Sequence, residues 1–122
     1  MAKCDQGYRC EVCGEDVTSI VDSDLYLRYV IGELDPEVLH KTPERHLRCN
    51  PVLAQFIDDD RFDAVDVGGM MDRRHLDGSF VAQRCELVSR GYRRLHEIIA
   101  WEGNRDVTTY PLADVVARYQ SR

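Results

Sequence analysis

Among five cysteines and four histidines in 122 residues, two short pairs stand out: Cys10 with Cys13, and His46 with Cys49, each separated by two residues. Three thiols and one imidazole form a complete tetrahedral ligand set for zinc. A Cys-x2-Cys turn can aim both sulfurs to one side, and Gly14 behind it can adopt the positive φ such a turn needs. His46 and Cys49 share a face if they lie in a helical turn. Residues 14–45 between the pairs are enough chain to bring them together. Four protein ligands would close the coordination sphere and leave no position for water or substrate, so the site reads as structural. Cys4 and His40 are substitute ligands, although neither has the paired spacing. Ordinary buried thiols or a disulfide are the competing readings. An odd number of cysteines and an N-terminus without an apolar leader favour a reduced compartment and metal. Iron could occupy the same thiol-rich set.

Two other groups carry reactive types. Asp72, His75 and Asp77 could supply a general base or hold a second metal, but isolated His and Asp in a polar stretch are common without chemistry. No residue is assigned a catalytic role. Arg73, Arg74, Arg84, Arg90, Arg93 and Arg94 could contact phosphates, yet a charged helix face is more often simply solvated. Gly68 and Gly69 are not followed by Lys, so a phosphate-cradling loop is unsupported.

The elements that must position these groups follow from local patterns. Residues 1–9 read as a tail and 10–16 as a metal knuckle. Residues 17–21 and 25–31 are β-prone runs around Asp22, Ser23 and Asp24, which predicts a hairpin with Leu25, Leu27, Tyr29 and Ile31 on one face. A helix over 23–34 is the alternative. Asp35-Pro36, Thr42-Pro43 and Asn50-Pro51 each resemble a helix start, the last leading into a helix over 51–58. The triplet Asp58, Asp59 and Asp60 reads as a solvated loop. Residues 62–67 suggest a short strand and 70–79 irregular chain, with Met70 and Met71 in packing roles. The clearest helix spans 79–102, with Ser79 as N-cap and Gly103 as stop. Its apolar stripe is Val81, Cys85, Val88, Tyr92, Leu95 and Ile99. Glu86/Arg90 and Arg93/Glu97 are spaced to pair. An extended stretch at 107–110 and a short helix over 111–119 complete the chain.

Hydrophobic residues are 43% and charged residues 31% of the chain, a composition that folds. The net charge of −6 is uneven. Residues 1–60 hold 6 Lys/Arg against 13 Asp/Glu, whereas 61–122 hold 10 Arg against 9 Asp/Glu. An acidic surround argues against a nucleic-acid zinc finger, whose contact face should be basic. No apolar run has the length of a membrane span, so a cytoplasmic location and no membrane association are expected.

The ligand set resembles a treble-clef or zinc-ribbon-like module over about residues 8–58. The runs 26–32 and 43–51 are also similar to small bacterial proteins of unassigned function. The resemblance implies a structural zinc and brings no activity, because such modules host nucleic-acid binding, protein binding and nuclease chemistry alike. The resulting expectation is an α+β fold: a small zinc-stabilised β-hairpin plus helix module at 10–58, packed with a helical part at 59–122 whose main element is a long C-terminal amphipathic helix. The expected function is that of a noncatalytic interaction or regulatory protein with a protein partner. Nucleic-acid or nucleotide binding through the arginines, and metal-dependent hydrolysis at Asp72, His75 and Asp77, are the alternatives. Oligomeric state is open.

Overall fold

The computed structural model describes residues 8–101 and 109–120. Cys4, Gly103 and the extended stretch expected from 107 therefore lie wholly or in part outside the described residues, as does most of the expected tail. The chain is a small mixed structure, mostly helical. Strands β1 (Tyr8–Arg9) and β2 (Asp16–Val17) pair antiparallel, Tyr8 opposite Val17 and Arg9 opposite Asp16. Helices α1 (Asp24–Val30), α2 (Pro51–Ala54), α3 (Gly78–Ala100) and α4 (Ala113–Gln120) follow, joined by short 3-10 turns.

The hairpin expected over 17–31 is not formed; its second run is α1. Leu25, Tyr26, Leu27, Tyr29 and Val30 are all buried. A helix buried on nearly every side, with Arg28 alone partly exposed, belongs in a core, and its apolar residues imitate strand alternation when one face is read alone. Ser23 caps it, accepting the Tyr26 N–H at 3.0 Å. Gly32, at φ 86°, ends it: Glu33 N–H returns to Arg28 O and Gly32 N–H to Tyr29 O. That pairing is a Schellman stop, which needs the left-handed conformation glycine adopts at low cost.

The core forms where α1 crosses α3. Leu27, Val30 and Ile31 meet Val88, Tyr92, Leu95 and Ile98, with Leu112 and Val115 joining from α4 and its approach. Gly91 permits the close crossing, since a Cβ there would stand 2.3 Å from Ile31 Cγ2 and 2.9 Å from Leu27 Cδ1. The buried stripe of α3 is thus rotated from the expected one: Ile98 is inside, Ile99 is exposed, and Cys85 is only partly covered. Asp77, not Ser79, is the N-cap of α3, accepting from Ser79 and Phe80 N–H at 3.1 Å.

Other local expectations also change. Asp35 caps the 3-10 turn Pro36–Lys41 as its sequence suggests, but Pro43 and Glu44 run extended, with Glu44 bridged to Cys10. Residues 63–68 form no strand, and 69–75 contain two 3-10 turns, Gly69–Met71 and Arg73–His75. Met70 and Met71 are not packing residues; they are 88% and 53% exposed. Within the acidic triplet, Asp59 is held by Arg61 and Asp58 by Arg73, leaving Asp60 solvated. Arg90 pairs with Asp114 rather than Glu86, and Glu97 with Arg94 rather than Arg93.

Candidate metal centre

Cys10 leaves β1 and opens a tight turn. Gly14 N–H returns to Cys10 O at 2.9 Å, and Cys10 N–H donates to Glu15 O at 2.8 Å. Gly14, at φ 80°, takes the left-handed position this reversal requires. The turn points Cys10 inward and Cys13 to the surface. The second pair arrives on the 3-10 turn Leu47–Cys49, with His46 at its N-cap and Asn50-Pro51 passing directly into α2. Pro51 sits at the first helical position, where its missing N–H costs nothing.

One backbone bridge, Cys10 with Glu44, joins the two ligand segments, and a second, Ser23 with His46, ties the ligand turn to the start of α1. Glu11 N–H also donates to Glu44 O at 2.9 Å. The four ligand atoms of Cys10, Cys13, His46 and Cys49 lie within 4.8 Å of one another. Zn–S bonds near 2.3 Å imply tetrahedral edges of about 3.7 Å, so the ligands need to close by only about 1 Å. These four residues can hold a metal ion. The side chain of His40, the substitute ligand, lies outside the described residues.

The imidazole orientation fits that role. His46 Nε2 is 2.9 Å from Asp16 O. A carbonyl can only accept, so Nε2 carries a proton, and the neutral ring then offers its lone pair at Nδ1. Nδ1 faces Cys13 Sγ at 3.3 Å and Cys49 Sγ at 3.9 Å. Fixing a ligand histidine through its second nitrogen is the usual way metal sites set ring angle and tautomer. The thiols are unequal. Burial opposes ionisation of Cys10, but N–H groups of Cys13, His46 and Val12 aimed at its sulfur, together with the Cys49 thiol, pull it down to about 6. Burial, then the neighbouring Cys10 and Cys13 sulfurs, push Cys49 up to about 11. Burial disfavours protonation of His46, yet the Asp16 carbonyl and the Cys10 thiolate raise its pKa overall. Crowded thiolates repel, and a cation among them removes that repulsion.

Residues flanking the second pair tie the centre to α1, and sequence reasoning missed them. Glu44 is buried; it accepts from Ser23 Oγ at 2.7 Å, Arg45 N–H at 3.0 Å and Leu25 N–H at 3.1 Å. Burial raises its pKa despite these donors. Asp24, fully buried, accepts from Asn50 Nδ2 at 2.8 Å and pairs with Arg45 at 3.1 Å. Arg28 Nε lies 3.0 Å from the same carboxylate, as an ion pair not aligned for a hydrogen bond. The available signal was Ser23 followed by Asp24, the helix start from which the alternative reading of 23–34 begins.

The other nominated residues are dispersed. Asp72 accepts from Arg74 N–H, Nε and Nη2 and from Gly68 N–H, which holds its carboxyl far below the usual range. Asp77 is occupied as the cap of α3, and His75 is exposed. Among the described residues these three form no metal-ligand group. Of the arginines, Arg73 pairs with Asp58, Arg74 with Asp72, Arg84 with Glu33 and Arg90 with Asp114. Arg94 donates to Tyr110 O and Thr109 O and lies over Trp101. Arg93 is exposed with no ion-pair partner among the described residues.

Comparison with known proteins returns no match: no family model, curated protein or solved structure aligns significantly with this chain. The likeness to treble-clef and zinc-ribbon modules therefore rests on ligand spacing, and α1 occupies the place where the expected hairpin would be. Among the described residues no helix is long and apolar enough to cross a membrane.

Proposed function

We propose that this chain is a noncatalytic, zinc-stabilised interaction protein. One observation carries the reading: four potential ligand atoms from two distant segments lie within 4.8 Å of one another, the number a tetrahedral set needs. A three-thiolate, one-imidazole donor set suits zinc, which has no geometric preference of its own to satisfy. Bound there, zinc would clamp the knuckle to the turn before α2 and leave no coordination position for substrate. The alternatives find less support. The carboxylates of the hydrolase reading already serve a loop and a helix cap, and five of the six arginines of the nucleic-acid reading hold partners within the chain.

X-ray absorption on the metal-loaded full chain tests this. A first shell of three sulfurs and one nitrogen, with no oxygen, is the expected result. A water oxygen in place of one protein ligand would open the site to catalysis and overturn the reading.

A further inference from the structure

The three thiols of the candidate metal centre differ in what can reach them. Cys13 is exposed, as is every residue from Glu11 to Asp16. Cys49 is half-buried, and Cys10 is 1% exposed. A small solute arriving from water therefore meets Cys13 first. Cys10 is shielded, yet its sulfur lies within 4.8 Å of the Cys13 sulfur. An accessible thiolate beside a second, protected one is the arrangement of a reactive cysteine with its resolving partner. Metal ligation supplies the thiolate form, because a thiol must lose its proton to bind.

Backbone geometry favours these two over any pair that includes Cys49. Gly14 N–H returns to Cys10 O at 2.9 Å, so residues 10–13 close into one turn. Cα atoms at the ends of such a turn stand less than about 7 Å apart, and a disulfide spans about 4.4–6.8 Å. Val12 and His46 N–H groups each donate to Cys10 Sγ at 3.4 Å and hold it in place. Cys13, out in water, can rotate toward it. Cys49 is carried on a different segment, Leu47–Cys49, which leads directly into α2. A bond from Cys49 to the knuckle would have to shift one segment against the other.

We propose that Cys13 is a peroxide-sensitive modification site whose oxidation closes a Cys10–Cys13 disulfide and releases the metal. The Cys13 thiolate attacks one oxygen of hydrogen peroxide; the O–O bond breaks, hydroxide leaves and Cys13 becomes a sulfenic acid. The Cys10 thiolate then attacks the Cys13 sulfur; the S–O bond breaks, a second hydroxide leaves and the S–S bond forms. Two electrons pass from the two sulfurs to the peroxide, and both hydroxides take up protons from solvent. His46 and Cys49 remain as donors, half of the set a structural zinc needs, and the divalent ion passes to water. A dithiol reductant reverses the bond and restores the four ligands. Metal release rests on the zinc reading above, whereas the disulfide needs only the two thiols and the peroxide.

Cys85 supplies the internal control, since it is half-buried like Cys49 but lies outside the ligand group. The zinc-loaded full chain is exposed to hydrogen peroxide while a zinc-sensitive dye follows release. Remaining thiols are then alkylated and cysteine pairs mapped by tandem mass spectrometry. Cys10 and Cys13 fall on one tryptic peptide, residues 10–28, which reads their bond as the loss of two hydrogens. Zinc release should keep pace with that bond, Cys85 should stay open to alkylation, and dithiothreitol with added zinc should restore the loaded form.

Cys13→His keeps a fourth donor, as in sites of two cysteines and two histidines, but removes the exposed thiol. It should slow release by about tenfold or more. Cys85→Ser should release at the wild-type rate. Zinc retained at doses that oxidise Cys85, release with no disulfide, a disulfide that includes Cys49, or equal release rates in Cys13→His and wild type would each overturn the proposal. The mapping reads the wild-type chain, so it decides the pairing even where Cys13→His loads poorly. X-ray absorption on the untreated chain reads the ligand shell before any peroxide is added, so failure of the peroxide site and failure of the zinc reading remain separate.

Discussion

The candidate metal centre and the segment 72–77 contain similar side-chain types and use them in opposite ways. In the first, Cys10 and Cys13 from a knuckle meet His46 and Cys49 from a turn more than thirty residues away, with Asp16 and Glu44 fixing the approach. In the second, each carboxylate finds a partner within five residues: Asp72 takes Gly68 and Arg74, and Asp77 takes Ser79 and Phe80. His75 is left exposed without a carboxylate partner among the described residues. The difference teaches that reactive types at close spacing tend to satisfy one another locally, as caps and loop anchors. Convergence on a metal requires long-range backbone pairing to hold ligands that otherwise have no reason to meet.

Breaking the first region should cost most. Cys49→Ser is expected to lose bound metal and to lower stability by about 3 kcal/mol or more, because metal binding and folding are one equilibrium at such sites. Metal analysis and thermal unfolding with and without chelator read both effects. If metal and melting temperature are unchanged, the contrast between the regions collapses. Asp24→Ala comes next. It strands Arg45, Arg28 and Asn50 around a buried position, for an expected loss of about 3 kcal/mol in urea unfolding, together with weaker metal binding through the displaced Arg45. Wild-type metal affinity in that variant would show that α1 does not support the centre.

Gly91→Ala probes the crossing that brings α1 beneath the centre. Its new Cβ meets Ile31 and Leu27 too closely, and overpacking should destabilise by about 2 kcal/mol, even though alanine is intrinsically the better helix former. A stabilised variant would mean the two helices can part without penalty. His75→Ala sharpens the other side of the comparison: unfolding and metal content should match wild type, and a loss of metal would place His75 in a site.

The smallest effect is on the acid limb. The Arg61 side chain, ahead of the opposing effect of burial, holds the Asp59 carboxyl down to about 2 from 3.8. A folded-state pKa below the unfolded one gives stability that is present above about pH 3.8 and is lost as pH falls through about 2. Asp59→Asn should therefore flatten the stability profile over that window, as measured by urea unfolding at a series of pH values. An unchanged slope would show that the Asp59–Arg61 pair adds nothing to folding.

Much of the centre was legible in the chain itself. Cys-x2-Cys-Gly and His-x2-Cys-Asn-Pro each encode a local turn, and their ligand types complement one another. Pro51 and Asp35 marked helical starts for reasons internal to a few residues. The segment 24–30 was read first as a strand, with a helix over 23–34 as the alternative that the structure forms, because an apolar run satisfies strand and helix patterns together when both faces are buried. Met70 and Met71 were misread because apolarity was taken for burial, while the anchoring of their backbone by Gln55 and Asp72 is a tertiary fact. The arginines looked available because nothing in their own segment names Glu33, Asp58 or Asp114 as partners.

By itself the sequence determined which four side chains could share a metal, because ligand chemistry and turn geometry act over two or three residues. Only the tertiary structure decided that α1 is a helix, that Gly91 lies at its crossing, and that Asp24 and Glu44 brace the ligand turn. Those outcomes depend on which distant surfaces bury one another, and burial is a property of the packed chain rather than of any short stretch of it.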